Sequence, residues 1–233
     1  MKFGIIGAME PEVALLKEKL ANREEQTFAG FTFYSGELNG HDVILVKSGI
    51  GKVASSVATT LLIEKYAPDC IVNTGSAGGL DPELEVGDVV ISTELKHHDV
   101  DVTAFNYELG QVPNMPPAYI PHNTLVDAAE RAAQRVGDVK IVKGLITTGD
   151  SFMCDPARIE EAKNNFPQMK AVEMEGAAIA QACHMLDTPF VVIRSLSDIA
   201  GKESPVSFEA YLEKASLYSS RLVEELLVEV SSL

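Results

Sequence analysis

The chain has 233 residues, 46% of them hydrophobic and 23% charged, a composition that can bury a sizeable core and is far from that of a disordered chain. Lys plus Arg number 19 against 34 Asp plus Glu, for a formal net charge of −15. Nucleic acid and anionic membrane surfaces are therefore not expected as partners, because both require a cationic footprint.

The opening run Met1–Gly7 is too short for a secretory leader, and no apolar stretch approaches the roughly 20 residues that span a bilayer. The three cysteines, Cys70, Cys154 and Cys183, are scattered and odd in number. They form no CxxC or Cys/His ligand spacing, so neither a disulfide frame nor a metal site is expected. A reduced, cytoplasmic protein is the expectation.

In chain order, Lys2–Ile6 reads as a strand. A helix near Pro11–Leu20 follows, with Pro11 in its first turn and Val13, Leu16 and Leu20 on one face. Strands Phe31–Gly36 and Val43–Lys47 flank Asn39-Gly40, a hairpin signal. A helix over Lys52–Tyr66 and strands Asp69–Thr74 and Val86–Ser92 come next. The segment Thr93–His122, with four prolines, is expected to be a long irregular excursion that serves function or covers a partner.

The remainder alternates helix Thr124–Val136, strand Lys140–Thr147, helix Pro156–Phe166, strand Lys170–Val172, helix Glu175–Leu186, strand Pro189–Ser195 and a final helix Ser207–Val230. With no linker or repeat, the whole chain 1–233 is expected to form one α/β domain with a largely parallel sheet. Gly7–Glu12, Thr74–Gly79, Thr148–Met153, Glu173–Glu175 and Arg194–Asp198 all fall at strand ends. Ligands of open α/β sheets bind beyond those ends, so five polar or Gly-rich segments should converge on one pocket.

Each segment alone has a plain structural reading. Thr74-Gly75-Ser76-Ala77-Gly78-Gly79 reads as a strand running into a tight turn. It is neither GxGxxG nor a P-loop, and it lacks the GxSxG order that would make Ser76 a nucleophile. Glu173 and Glu175 stand where acids commonly favour a helix N-terminus. Asp198 leaves a strongly apolar strand, where desolvation would raise its pKa and favour the acid form; taken alone, it reads rather as an Asp capping a loop. His97-His98-Asp99-Val100-Asp101 resembles a ligand cluster, but adjacent residues rarely point at one ion, and a solvated loop is expected. His184 reads as a packing histidine.

Read together, Gly4–Glu10 with Glu12, Lys47–Lys52, Asn73–Gly79, Val172–Glu175 and Ser197-Asp198 resemble, in order and over nearly the whole chain, the bacterial 5′-methylthioadenosine/S-adenosylhomocysteine nucleosidases of the nucleoside phosphorylase superfamily. The resemblance implies a three-layer α/β/α sandwich with a mixed central sheet, working as a homodimer; no cofactor or metal is expected. It implies hydrolysis of 5′-methylthioadenosine and S-adenosylhomocysteine, and of 5′-deoxyadenosine, in methionine salvage and methyl-cycle recycling.

By the same resemblance, Glu12 is the base that activates water, Asp198 protonates adenine at N7, and Glu175 holds the ribose hydroxyls. Met174 packs on the ribose, Phe152 and the main chain at Met153 hold the purine, and Gly78 lies in the substrate-binding turn. Arg194, Ser76 and Ser197 belong to the polar network, and Met9, Ile50 and Phe208 are apolar contacts. Phe105 and Pro113 reach the neighbouring subunit's 5′ pocket. Two alternatives stay open: a purine nucleoside phosphorylase, which would need a basic phosphate cradle, and a non-catalytic nucleoside sensor.

Overall fold

Phe3, Val72 and Val191 lie against one layer of helices, and Ile6, Ile71 and Val192 against another. Side chains alternate across a strand, so a sheet with such runs must be covered on both faces. The computed structural model, which describes residues 1–137, 139–200 and 204–230, has that arrangement. Strand β1 (Lys2–Gly7) leads to α1 (Glu10–Lys19), then to β2 (Ala21–Phe28), β3 (Phe31–Leu38) and β4 (His41–Lys47). Next come α2 (Lys52–Tyr66), β5 (Cys70–Gly79), β6 (Val89–His97), α3 (Asn123–Val136) and β7 (Ile141–Thr148). The order closes with α4 (Pro156–Asn165), β8 (Met169–Glu173), α5 (Gly176–Met185), β9 (Phe190–Ile199) and α6 (Ser204–Glu229).

Leu16 of α1, Leu125 and Ala129 of α3 and Leu226 of α6 cover one face. Leu62 of α2 and Ile179 and Cys183 of α5 cover the other. The three-layer α/β/α sandwich is thus present. No helix of the described residues is long and apolar enough to cross a membrane.

The sheet is mixed, in the order β2-β3-β4-β1-β5-β8-β7-β6-β9, and β9 returns to pair with β5. Parallel pairs join β1 to β4 and β5, β5 to β9, and β7 to β6 and β8. Antiparallel pairs are β2–β3, β3–β4, β5–β8 and β6–β9.

Strand β5 sets where the sheet opens. Its first half pairs with β1 from Cys70 to Asn73, and its last two residues pair with β8 on Val172 and Ala171. Two strands thus share one edge of β5 at different heights, and the sheet opens between them. At that fork Gly75 takes φ +155°, and the β9 register slips between Ala77 and Gly78, a bulge of the kind that re-aims side chains beside sites.

Several sequence expectations need correction. Strand β2 was not foreseen, because nearly all of it is exposed and it has no apolar alternation to read. The Gly-rich segment is not a turn but the end of β5, and Asp198 lies within β9 rather than past it. Strand β6 begins at Val89, not Val86, and runs to His97, which shortens the irregular excursion. His97 is buried and bonded to Gln181, and Asp99 pairs with Lys52, so that motif is not merely a solvated loop. His184 is exposed at the end of α5, with its ring 5.9 Å from that of Tyr119. The hairpin at Asn39-Gly40 is present, with both residues at positive φ (51° and 80°).

Candidate active site

A cavity of about 360 Å³ occupies the fork, between the ends of β1, β5, β8 and β9, within the size range of small-molecule sites. Glu12 enters it from the first turn of α1, in the third helical position after Met9, and is 1% exposed. One carboxylate oxygen accepts the N–H groups of Ala8 and Met9 at 2.8 and 3.0 Å, the acidic half of a capping box. The other accepts the N–H and hydroxyl of Ser76, both at 2.9 Å. Pro11 keeps the turn free of a competing donor. A Cβ on Gly75 would stand 2.7 Å from a Glu12 oxygen and would also collide with Arg194, so only glycine lets β5 come this close.

Asp198 reaches the same cavity from β9 and is 3% exposed. Ser197 donates its hydroxyl to the Asp198 carboxyl at 3.0 Å. Gly78 is the register partner of Asp198 on β5, and a Cβ there would lie 3.3 Å from a carboxyl oxygen. A small recess of about 30 Å³ continues past Gly78 and Asp198 to Phe152, Met153 and Met174.

The third group is Glu175. It stands at the N-cap of α5, yet its side chain does not cap the helix. Glu173 does so instead, accepting the N–H of Glu175 at 3.0 Å and of Gly176 at 2.7 Å. Glu175 is thereby turned to the cavity, where one oxygen accepts the Gly51 N–H at 3.0 Å. Burial, then the neighbouring Glu173 charge, push its pKa from the ordinary 4.5 up to about 7; the Arg194 guanidinium 3.5 Å away and the Gly51 N–H only partly offset them.

Arg194 itself is fully buried beneath the cavity, not in its wall. It donates to Glu173 and, at 2.7 Å, to the Asn73 side-chain oxygen, while Asn73 donates to the Ile6 carbonyl at 2.9 Å. Burial alone would push the guanidinium pKa down, but Glu173, Glu175 and Glu12 together raise it.

The rim is apolar. Met9, Ile50 and Met174 line it, and Phe152 packs edge-on to Phe208 with ring centroids 5.7 Å apart. Phe105 and Pro113 are exposed and do not line this chain's cavity. The roles of Asn73 and Gly51 were not foreseen, and the helix-start reading of the two acids holds for Glu173 but not for Glu175. Glu173 and Glu175 look alike in sequence, and only the backbone shows which one caps.

The Phosphorylase superfamily model matches residues 2–228. The chain is 65% identical to the 5′-methylthioadenosine/S-adenosylhomocysteine nucleosidase of Pseudoalteromonas translucida (strain TAC 125), covering 100% of this chain and 99% of that one. The crystal structure of such a nucleosidase from Colwellia psychrerythraea 34H in complex with adenine superposes with a TM-score of 0.97 at 59% identity, covering 98% of this chain and 95% of that one. The Neisseria meningitidis nucleosidase in complex with methylthio-immucillin-A also gives a TM-score of 0.97, at 47% identity and 98% and 99% coverage.

Proposed function

The chain belongs to the phosphorylase superfamily and, within it, to the 5′-methylthioadenosine/S-adenosylhomocysteine nucleosidases, and from that membership we propose how its cavity works. It hydrolyses the N-glycosidic bond of 5′-methylthioadenosine and S-adenosylhomocysteine, releasing adenine and the 5-thioribose product. The observation that carries our assignment of roles is that Glu12 and Asp198, from opposite ends of the chain, line one small cavity with Glu175.

Breaking the bond leaves positive charge on the ribosyl ring and negative charge on adenine. Asp198 gives its proton to N7, so the base leaves neutral, and the Ser197 hydroxyl orients that carboxyl. Glu12 takes a proton from water as the water oxygen bonds to the anomeric carbon. One carboxyl thus serves each face, as in inverting glycosidases. Ser76 and the first turn of α1 hold Glu12 in place.

Glu175 accepts the paired ribose hydroxyls, with Met174 packed on the sugar. Phe152 and the main chain at Met153 hold the purine at the Gly78 end of the cavity. Met9, Ile50 and Phe208 take the 5′ substituent, and an apolar rim also admits 5′-deoxyadenosine. Arg194 supports the carboxylates from below.

Phosphate is disfavoured as the nucleophile. No Lys or Arg lines the cavity among the described residues, and the guanidinium beneath it is engaged by Glu173 and Asn73. Incubation with methylthioadenosine, with and without phosphate, tests the reading. Free methylthioribose in both is expected; the 1-phosphate would mean a phosphorylase, and binding without turnover a sensor.

The chain works as one domain, in the cytoplasm, and as a homodimer. What supports the dimer is a groove of about 610 Å³ between α2 and α5, flanked by Val53, Val57 and Met185, which are 77%, 42% and 64% exposed. An exposed apolar patch of this kind supports a protein–protein interface here. A second copy covering it would carry its exposed Phe105 and Pro113 toward the neighbour's 5′ pocket. Val53→Asp is expected to yield a monomer in sedimentation with a raised KM; an intact dimer would refute this arrangement.

A further inference from the structure

Helix α2 begins at a glycine, so its N-cap has no side chain to take the first backbone N–H groups. Two carboxylates from other elements take them. The Gly51 N–H goes to Glu175 at 3.0 Å, and the next one, of Lys52, goes to Asp150 at 2.8 Å. Asp150 is tied down in turn, since its own N–H meets one oxygen of Asp99 at 3.0 Å. The other oxygen of Asp99 accepts the Lys52 ammonium at 2.7 Å, which closes a ring back to the residue where it started. Burial pushes the Asp99 pKa up, but Lys52 and the Asp150 N–H together hold it below the usual range. Gly51 sits at φ +94°, and a Cβ there would be 3.0 Å from the Asp150 carboxylate, so turn and bracket fit closely.

We propose that Asp99 and Asp150 are positioning residues of the active site, which hold the turn before α2 through Lys52 so that the Gly51 N–H meets the carboxylate of Glu175. Neither acid lines the cavity. They act at one remove: Lys52 is adjacent to Gly51, so releasing the Lys52 N–H lets the Gly51 N–H drift off Glu175. Charged groups also face Glu175 from every side, namely Glu173 of β8, Arg194 of β9 and Glu12 of α1. Arg194, 3.5 Å away, and the Gly51 N–H both favour the ionised form, and the Gly51 N–H does so through a direct hydrogen bond at 3.0 Å. The inference rests on the reading of Glu175 as the ribose acceptor.

The test is methylthioadenosine hydrolysis by Asp150→Ala and Asp150→Asn, as kcat and KM across the neutral pH range. Asparagine keeps an oxygen for the Lys52 N–H; alanine does not. Asp150→Ala is expected to raise KM about tenfold, the worth of one hydrogen bond, with kcat much less affected. The acidic limb of its kcat/KM profile should move up by about half a pH unit, and Asp150→Asn should restore both.

Wild-type KM and acidic limb in Asp150→Ala, or equal damage in Asp150→Asn, would overturn the proposal. If Asp150→Ala does not fold, Asp99→Ala must show both shifts in smaller degree, and wild-type values there refute it equally. Glu175→Gln is measured alongside. If its KM is unchanged, the ribose reading fails; if its KM rises while Asp150→Ala stays wild-type, the bracket alone fails.

Discussion

Two glutamates of the cavity, Glu12 and Glu175, are both nearly inaccessible and both stand at the start of a helix, yet they are held in opposite ways. Glu12 is ringed by four donors, two from its own helix start and two from Ser76. Glu175 has the Gly51 N–H and a guanidinium 3.5 Å away whose closer contact goes to Glu173. Burial therefore wins at Glu175 and lifts its pKa to about 7. The lesson is that donor count, set by backbone geometry, separates a carboxylate fixed in place from one ready to take new donors. A ribose diol supplies two.

The largest expected effect tests the Glu12 side of that contrast. Glu12→Gln and Asp198→Asn should each lower kcat about 10²–10⁴-fold, the range for losing a general base or acid. They should differ in stability. An amide nitrogen at position 12 must face backbone N–H groups whichever way it turns, at a cost of about 1–3 kcal/mol. Denaturant unfolding should show that loss in Glu12→Gln; full stability would mean that the four donors do not hold the carboxylate as described.

Arg194→Met attacks the other side. It removes the cation under Glu173 and Glu175 and leaves both carboxylates buried without it, which costs about 3–5 kcal/mol. The loss should be greater at high pH, where Glu175 is charged. A variant as stable as wild type at pH 8 would contradict the account of this corner.

The same contrast explains what was legible beforehand. The alternation of strands and helices along the chain could be read, because buried strands such as Phe190–Ile193 are continuous apolar runs and helices such as Asn123–Val136 keep a clear period; the three layers came from resemblance, and the order of strands within the sheet was not read. The polar edge strand Ala21–Phe28 could not be read. At the site, the identities of Glu12, Glu175 and Asp198 came from resemblance, and each alone had an ordinary structural explanation. That Glu173 caps α5 while Glu175 faces the cavity depends on a pairing of β7 with β8 and on where α5 starts. Neither is local in sequence. Asp99 was visible only as part of a false ligand cluster, because its partners Lys52 and Asp150 lie 47 and 51 residues away.

The titration of Glu175 gives a subtler effect. Its folded pKa lies above the ordinary value, so its contribution to stability is fully present below about 4.5 and is lost as pH rises through about 7. At 1.36 kcal/mol per pH unit the ceiling is about 3 kcal/mol. The ligand-free protein should therefore lose stability between pH 5 and 8, and Glu175→Gln should flatten that slope in pH-dependent thermal unfolding. Substrate affinity should move the opposite way, rising through neutrality as the acceptor ionises. A slope unaltered by the substitution would remove Glu175 as its source.

Ser76→Ala is the smallest and finest probe of the Glu12 corner. Ser76 gives that carboxylate two hydrogen bonds, but one comes from the backbone and survives the substitution. The loss is then a single hydroxyl donor to a charged acceptor that keeps three other partners, about 1.5 kcal/mol or roughly tenfold. Because the hydroxyl fixes the base rather than the sugar, the effect should fall on kcat with KM little changed, whereas Glu175→Gln should fall mainly on KM. Steady-state kinetics of the two variants side by side would show it. If Ser76→Ala raised KM and spared kcat, Glu12 and Ser76 would be binding the ribose rather than aiming water, and the division of labour between the two glutamates would have to be reversed.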